Sequence, residues 1–272
     1  MLNNVSFGQY YPVSSPVHRM DARVKLLLTI LYIVTIFVVQ TYSGYIATLL
    51  VLLTTIVIAR IPLKTVLKSV KAVLFLILFT TILNLLLYKG DYVESWSWWI
   101  FTVTDGAIDF SVRMALRLAF LVMGTSLLTF TTTPVELTDG IESLMKPLKI
   151  IKVPVHDIAV IMSITLRFIP ILMEETDKII MAQSSRGADF SSGGLLKRAK
   201  ALLPVLIPLF VSAFRRAEEL SLAMDSRCYN ATDKRTRYKK MKISFRDIVG
   251  TIFYLCYLAF VIVDNTVLLL LV

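Results

Sequence analysis

Residues 26–39, LLLTILYIVTIFVV, and residues 45–59, YIATLLVLLTTIVIA, are two uncharged apolar runs separated only by Gln40-Thr41-Tyr42-Ser43-Gly44. Runs of this length approach what a helix needs to cross about 30 Å of hydrocarbon. The polar, glycine-containing connection between them reads as a tight turn. The pair is therefore predicted to be a transmembrane hairpin, and the rest of the chain is read outward from it. A third apolar span runs from about Ala72 to Tyr88 and a fourth from about Ala107 to Phe130. A last one begins near Ile248, with Asp264 and Asn265 interrupting it and leaving its end open.

Composition agrees with this placement. Of the 272 residues 56% are hydrophobic and the mean hydropathy is +0.73, well above a water-facing globule of the same length. The first apolar run lies behind a polar stretch holding Pro12 and Pro16. It is too long for the core of a cleaved signal, so it is expected to remain as a helix. Lys and Arg outnumber Asp and Glu by 29 to 19, a net charge of +10. That excess follows membrane topology, which argues against nucleic acid as a partner.

Arg19, Arg23 and Lys25 precede the first span, and Arg60, Lys64, Lys68 and Lys71 lie between the second and third. The segment from Lys89 to Asp105 carries one lysine against Asp91, Glu94 and Asp105. The positive-inside rule then puts the N-terminus in the cytoplasm and this loop outside, with Trp96, Trp98 and Trp99 suited to a headgroup-level belt. Residues 1–130 are thus read as the N-terminal transmembrane helices, 131–246 as a cytoplasmic region, and 247–272 as a C-terminal transmembrane helix.

The region 131–246 mixes short apolar stretches with dense basic charge. Leu209, Ala213, Ala217, Leu220 and Met224 recur at three and four residues, giving one apolar stripe, while Arg215, Glu218, Glu219 and Asp225 fall elsewhere on the wheel. An amphipathic helix from Ala201 to Arg227 follows, about 40 Å long at 1.5 Å per residue. Pro204 and Pro208 should bend its start. Pro134 is expected at the first turn of another helix, with Thr133 as cap and Glu136 closing a capping box. Arg167, three residues before Pro170, is expected to brace a kinked helix through the carbonyls that the proline frees.

One pattern occurs twice. Ala182-Gln183-Ser184-Ser185-Arg186 and Ala223-Met224-Asp225-Ser226-Arg227 each close a predicted helix. Arginine at a helix C-terminus favours the macrodipole by about 0.3–1 kcal/mol, with Gly187 as cap, and this structural account stands beside a functional one.

The repeat resembles the Ala-Arg-Gly-type motifs that end two cytoplasmic coupling helices in the T components (EcfT/CbiQ) of energy-coupling-factor (ECF) transporters. Thr132-Thr133-Pro134-Val135-Glu136, Leu166-Arg167-Phe168-Ile169-Pro170, Arg186-Gly187-Ala188-Asp189-Phe190 and Pro208 to Ala217, with Arg215 and Arg216, look like further signatures of that family in the expected order. The resemblance is strongest over residues 107–246. It implies an all-α membrane protein with about five transmembrane helices and long amphipathic coupling helices, most like the shared vitamin-type module. It also implies two cytoplasmic ABC-type ATPase subunits as partners, docked on Arg186 and Arg227 with Ser185, Gly187, Ser226 and Cys228. A separate substrate-binding S component in the bilayer would carry the vitamin. No catalysis and no cofactor are expected in this chain, with ATP and magnesium on the partners. Both motifs depart from the family pattern in having serine before arginine. The second also has Cys228 where glycine is common, which leaves the shape of that helix end open.

Other candidates point elsewhere or nowhere. His18 and His156 lack ligand spacing, and Cys228 and Cys256 fall in different compartments, so neither a metal site nor a disulfide is expected. Gly193-Gly194 with Lys197 lacks the spacing of a phosphate-binding loop. The basic run Lys234–Lys242 suits anionic lipid headgroups. Arg113 and Arg117, one turn apart in the fourth span, admit either a functional role or snorkelling to the interface. The rival readings are a dedicated cobalt or nickel T component and, in another class, a self-sufficient secondary transporter, which would need a polar pathway through its own spans.

Overall fold

The computed structural model describes residues 10–87, 94–98, 101–188, 190, 194–229 and 243–271. Their order is α1 (Ala22–Val38), α2 (Tyr42–Ala59), α3 (Leu63–Leu87), β1 (Glu94–Trp98), β2 (Phe101–Thr104), α4 (Asp105–Thr131), α5 (Pro134–Met145), a 3-10 helix (Lys146–Ile151), α6 (Val155–Ser185), α7 (Leu195–Asp225) and α8 (Phe245–Leu271). This is an all-α membrane fold with one small addition. β1 and β2 form an antiparallel hairpin with Trp98 opposite Phe101, where the sequence reading has a plain loop. Trp, Phe, Val and Thr concentrate β-forming residues there. Of the expected tryptophan belt, Trp99 lies outside the described residues, as does the basic run Lys234–Lys242.

Five helices are long and apolar enough to cross a membrane: α2, α3, α4, α6 and α8. α6 joins this set although its charges had placed it among the interrupted amphipathic segments. Between Ile158 and Met173 it carries a single charge, Arg167, with Ser163 and Thr165 as the other polar residues. α1 has 17 residues, about 25 Å of helix.

Contacts divide the chain into two compact units, Phe7–Lys152 with Met241–Val272, and Val153–Lys240. The first is a bundle in which α1, α2, α4 and α8 share a core of Ile36, Val39, Leu52, Ile56, Phe130 and Val261 among others. α5 packs on α1 and α3 on α4. Only Val66 and Ile77 of α3 are buried; Phe75, 81% exposed, typifies the rest, as suits a lipid-facing helix.

Several polar groups inside the bundle are matched in pairs, because an unpaired hydroxyl has no water to turn to in hydrocarbon; Ser111 Oγ and Thr132 Oγ1 are buried with no hydrogen-bond partner among the described residues. Thr35 and Tyr254 share a hydrogen bond of 2.8 Å, and Thr48 and Tyr257 one of 2.7 Å. Tyr32 donates to the carbonyl of Phe120 at 2.7 Å. Tyr32 can cross to α4 only because Gly124 is there: a Cβ at that position would lie 2.1 Å from its ring.

Helix ends are closed by recognisable devices. Thr133 and Glu136 form the expected capping box around Pro134. At the end of α1, the carbonyls left without intrahelical donors are taken by other helices. Asn265 Nδ2 donates to Val38 at 2.8 Å, Arg117 Nη2 to Val39 at 3.1 Å and Arg113 Nη1 to Gln40 at 2.9 Å. Arg113 also pairs with Asp109. The two arginines of α4 are thus caps for α1, with positive charge at the negative end of its dipole. Asp264 does not end the last helix. It accepts from Ser43 at 2.6 Å and from Thr41, and with its charge satisfied at the α1–α2 turn α8 continues to Leu271.

At the other end of the bundle Asp247 accepts from the backbone N–H of Asp21 at 2.8 Å and of Ser244 at 2.6 Å. It fixes the start of α8 to the start of α1. His18 is held by Ser15 and by the Tyr11 carbonyl, and burial pulls its pKa below the ordinary histidine value. It is a structural residue.

Candidate coupling site at two arginine helix ends

The second unit contains α6 and α7. Gln183 of α6 reaches the carbonyl of Pro204 on α7, whereas Glu175, two turns earlier on α6, reaches Ser212 and Arg216, two to three turns later on α7. The two helices therefore run antiparallel. Glu175 accepts from Arg216 Nη2 at 2.6 Å and Nε at 3.2 Å, and from the hydroxyl of Ser212. Pro208 lacks the N–H that would bond the Pro204 carbonyl in a regular helix. Gln183 Nε2 donates to that freed oxygen instead, at 3.3 Å.

Each helix ends at its arginine in the same way. After α6, the N–H of Gly187 bonds Ser184 at 3.0 Å and the N–H of Ala188 bonds Gln183 at 3.0 Å. After α7, the N–H of Cys228 bonds Asp225 at 2.9 Å and that of Tyr229 bonds Met224 at 3.1 Å. Both are Schellman closures, with the residue after the arginine in the left-handed region. Gly187 has φ 89° and Cys228 φ 54°. The shape of the second end, open from sequence, is thus the same as the first, although a side chain at Cys228 resists it by roughly 1–2 kcal/mol. Ser185 and Ser226 turn their hydroxyls back onto Met181 and Ala223, each at 3.0 Å.

Arg186 and Arg227 are exposed, and their guanidinium groups make no hydrogen bond or ion pair among the described residues. Each lies eleven residues beyond its helix's member of the Glu175–Arg216 pair. At 1.5 Å per residue in opposite directions, the two guanidiniums stand on the order of 30 Å apart at the two ends of the pair. No cluster of three or more His, Cys, Asp or Glu side chains suited to a metal occurs among the described residues.

The profile of the family described as cobalt transport protein, CbiQ, matches residues 13–238. The chain belongs to the CbiQ/EcfT family. Among its relatives, each named energy-coupling factor transporter transmembrane protein EcfT, that of Ruminiclostridium cellulolyticum is 48% identical over 262 residues, 96% of this chain and 97% of the relative. That of Brevibacillus brevis is 50% identical over 248 residues, 91% and 93% of the two chains, and that of Clostridium kluyveri 45% over 264 residues, 97% of each. As a CbiQ/EcfT protein the chain is a multi-pass transmembrane component of an ECF transporter and works within that complex. The match extends to the N-terminal helices, where sequence offered only hydropathy.

Within the CbiQ/EcfT frame, the residues singled out by sequence separate into groups. Arg186, Gly187, Ser185, Arg227, Ser226 and Cys228 form the two helix ends, and Arg216 forms the ion pair between the helices. Pro134 starts α5 in the first unit, distant in sequence from these ends. Arg215 is exposed without a partner among the described residues. Arg167 does not brace the carbonyl that Pro170 frees: it is exposed and makes no hydrogen bond among the described residues. Carbonyls point toward a helix's C-terminus while side chains lean toward its N-terminus, so Arg167 leans away from the Leu166 oxygen. Gln183, Glu175 and Ser212 were missed. The missing donor at Pro208 was the signal that a partner for Pro204 had to exist.

Proposed function

We propose that this chain is the non-catalytic coupling subunit of an ECF transporter, carrying motion from two cytoplasmic ABC-type ATPase subunits to a substrate-binding S component in the bilayer. The observation that carries the reading is the repeated arginine-bearing Schellman end, placed once at each end of an antiparallel helix pair. Two equal handles about 30 Å apart suit two homologous engines. In each, a planar guanidinium is presented for bidentate pairing with an acidic or carbonyl-lined groove. ATP and magnesium would reside on those partners. When the ATPases move against each other the two handles are displaced, and the Glu175–Arg216 pair and the Gln183–Pro204 contact keep α6 and α7 moving as one body, a rigid-body switch.

In this reading the N-terminus is cytoplasmic and α6 lies along the membrane surface rather than across it. Support comes from its partner α7, whose Arg215, Arg216, Glu218 and Glu219 would be costly in hydrocarbon. Leu206, Ile207, Phe210 and Phe214 remain exposed on α7, an apolar face for the S component. We read the substrate as a vitamin or related micronutrient held by the S component, with cobalt or nickel as the alternative that the family's description, cobalt transport protein, would suit; the names of the relatives carry no substrate.

The test is co-purification. Arg186→Ala with Arg227→Ala should abolish ATPase association in detergent and uptake in cells, since losing one member of a desolvated charged contact costs about 2–5 kcal/mol. Unchanged association refutes the docking role. ATP-independent uptake by the chain alone in liposomes would favour a secondary transporter.

A further inference from the structure

A crevice of about 470 Å³ opens in the side of the bundle, among α1, α2, α4 and α8, at the end where α1 begins. This is within the roughly 300–1,000 Å³ range of small-molecule sites. Its floor reaches the core at Tyr32, Leu52, Leu127 and Tyr254, each under 9% exposed, and its rim carries Phe245 and Val249, which are exposed. The hydroxyls that line it are all spent. Thr29 donates to Lys25, Thr55 to Val51 and Thr131 to Leu127, each a carbonyl of its own helix, and Tyr32 and Tyr254 are taken within the core.

Two cations are the exception. Lys25 is 6% exposed, and its ammonium donates to the carbonyls of His18 at 3.0 Å and Thr131 at 2.8 Å. That leaves one of its three donors free, and no carboxylate lies in hydrogen-bond reach among the described residues. Arg246, at the rim, is exposed and makes no hydrogen bond or ion pair among those residues. Three acids lie near Lys25 and raise the local negative potential, but each is committed elsewhere: Glu136 to the Thr133 N–H at 3.4 Å, Asp21 to Arg23 and Asp247 to the N–H groups of Asp21 and Ser244.

We propose that this crevice is a specific site for one anionic phospholipid of the bilayer, its acyl chain against Leu52, Gly124 and Phe253 and its phosphate between Lys25 and Arg246. A dry, lipid-accessible cleft with unspent positive charge at only one end matches an amphiphile with a single negative headgroup. The crevice spans four helices, so an occupant held there would fasten α2 to α8 where their own packing leaves a gap. This inference stands on the bundle alone and does not depend on the docking role of the arginines.

The experiment is native mass spectrometry of the full chain, delipidated in mild detergent and titrated with phosphatidylglycerol or with phosphatidylcholine of the same chains. One phosphatidylglycerol should bind with a preference of roughly thirtyfold, the scale expected from two basic groups near a headgroup. Thr55→Trp, which fills the cleft, should remove that first binding event. Arg246→Gln should bring the preference down to about fivefold while one lipid still binds. Phe75→Trp, on the lipid face of α3, should change neither. If Thr55→Trp does not yield folded protein, Val249→Trp fills the cleft from α8 and is read instead. Equal binding of both lipids, or binding indifferent to the filling and charge variants, overturns the proposal. So does loss of the bound lipid when the complete transporter is assembled, which would assign the cleft to a protein helix.

Discussion

Gly187 and Cys228 occupy equivalent places with unequal ease, and this makes the two helix ends separately adjustable. A residue with a Cβ in the left-handed region pays roughly 1–2 kcal/mol, whereas glycine loses about 0.5–1 kcal/mol more backbone freedom on ordering. Cys228→Gly should therefore firm the end of α7 by about 0.5–1 kcal/mol net, and Gly187→Ala should loosen the end of α6 by the same amount. Nothing lies within 4 Å of a Cβ built at Gly187, so the alanine effect is purely conformational. Amide hydrogen exchange reads the four closing donors directly: the N–H groups of Gly187, Ala188, Cys228 and Tyr229. At 1.4 kcal/mol per tenfold, protection should rise about two- to fivefold at Cys228–Tyr229 in the first variant and fall as much at Gly187–Ala188 in the second. Exchange that stays the same in both variants, or that moves in the opposite sense, would show that these ends are not held by Schellman closures, and the matched-handle argument would fall with them.

Gln183→Ala should loosen the α6–α7 pair by about 0.5–1.5 kcal/mol, and the loss should vanish in a Pro208→Ala background, where α7 can bond Pro204 itself; a double-mutant cycle on thermal unfolding measures the coupling. Arg117→Met should lower bundle stability by about 1.5–3 kcal/mol, since it uncovers the Val39 carbonyl at the end of α1, and the detergent melting temperature should fall accordingly. Gly124→Ala should cost about 1–3 kcal/mol by overpacking against Tyr32. The same melting assay checks it, and Tyr32→Phe in that background should recover little, because the clash is with the ring.

The helical spans, the capping box at Pro134 and the two arginine ends could be read from sequence because each depends on neighbours in the chain: continuous apolar runs, a Thr-Pro-x-Glu order, a repeated Ala-x-x-Ser-Arg ending. What escaped depends on partners far away in sequence. Arg113 and Arg117 looked like costly charges in a span until the carbonyls of Val39 and Gln40, more than seventy residues earlier, supplied their purpose. Asp264 read as an interruption because the donors to its carboxylate, Thr41 and Ser43, sit at the turn between α1 and α2, more than two hundred residues earlier. Lys25 was counted as a topology marker, and its burial beneath Thr131 has no local signature. The α6–α7 pairing was half visible: the prolines of α7 announced missing donors, but not that Gln183 would replace one of them.

The pairing of Thr48 with Tyr257 joins positions 209 residues apart, and this has a bearing on biosynthesis. At roughly 5–20 residues per second, a ribosome needs about 10–40 s to travel from one to the other. For that interval α1 and α2 sit in the bilayer with the Thr35 and Thr48 hydroxyls bonded only to Leu31 and Gly44 of their own helices, while the whole arginine-bearing hairpin is translated in between. The last helix is thus the keystone of the nascent protein, and a chaperone or insertase that shelters the uncovered face of α1 and α2 should matter most to chains stalled before residue 245.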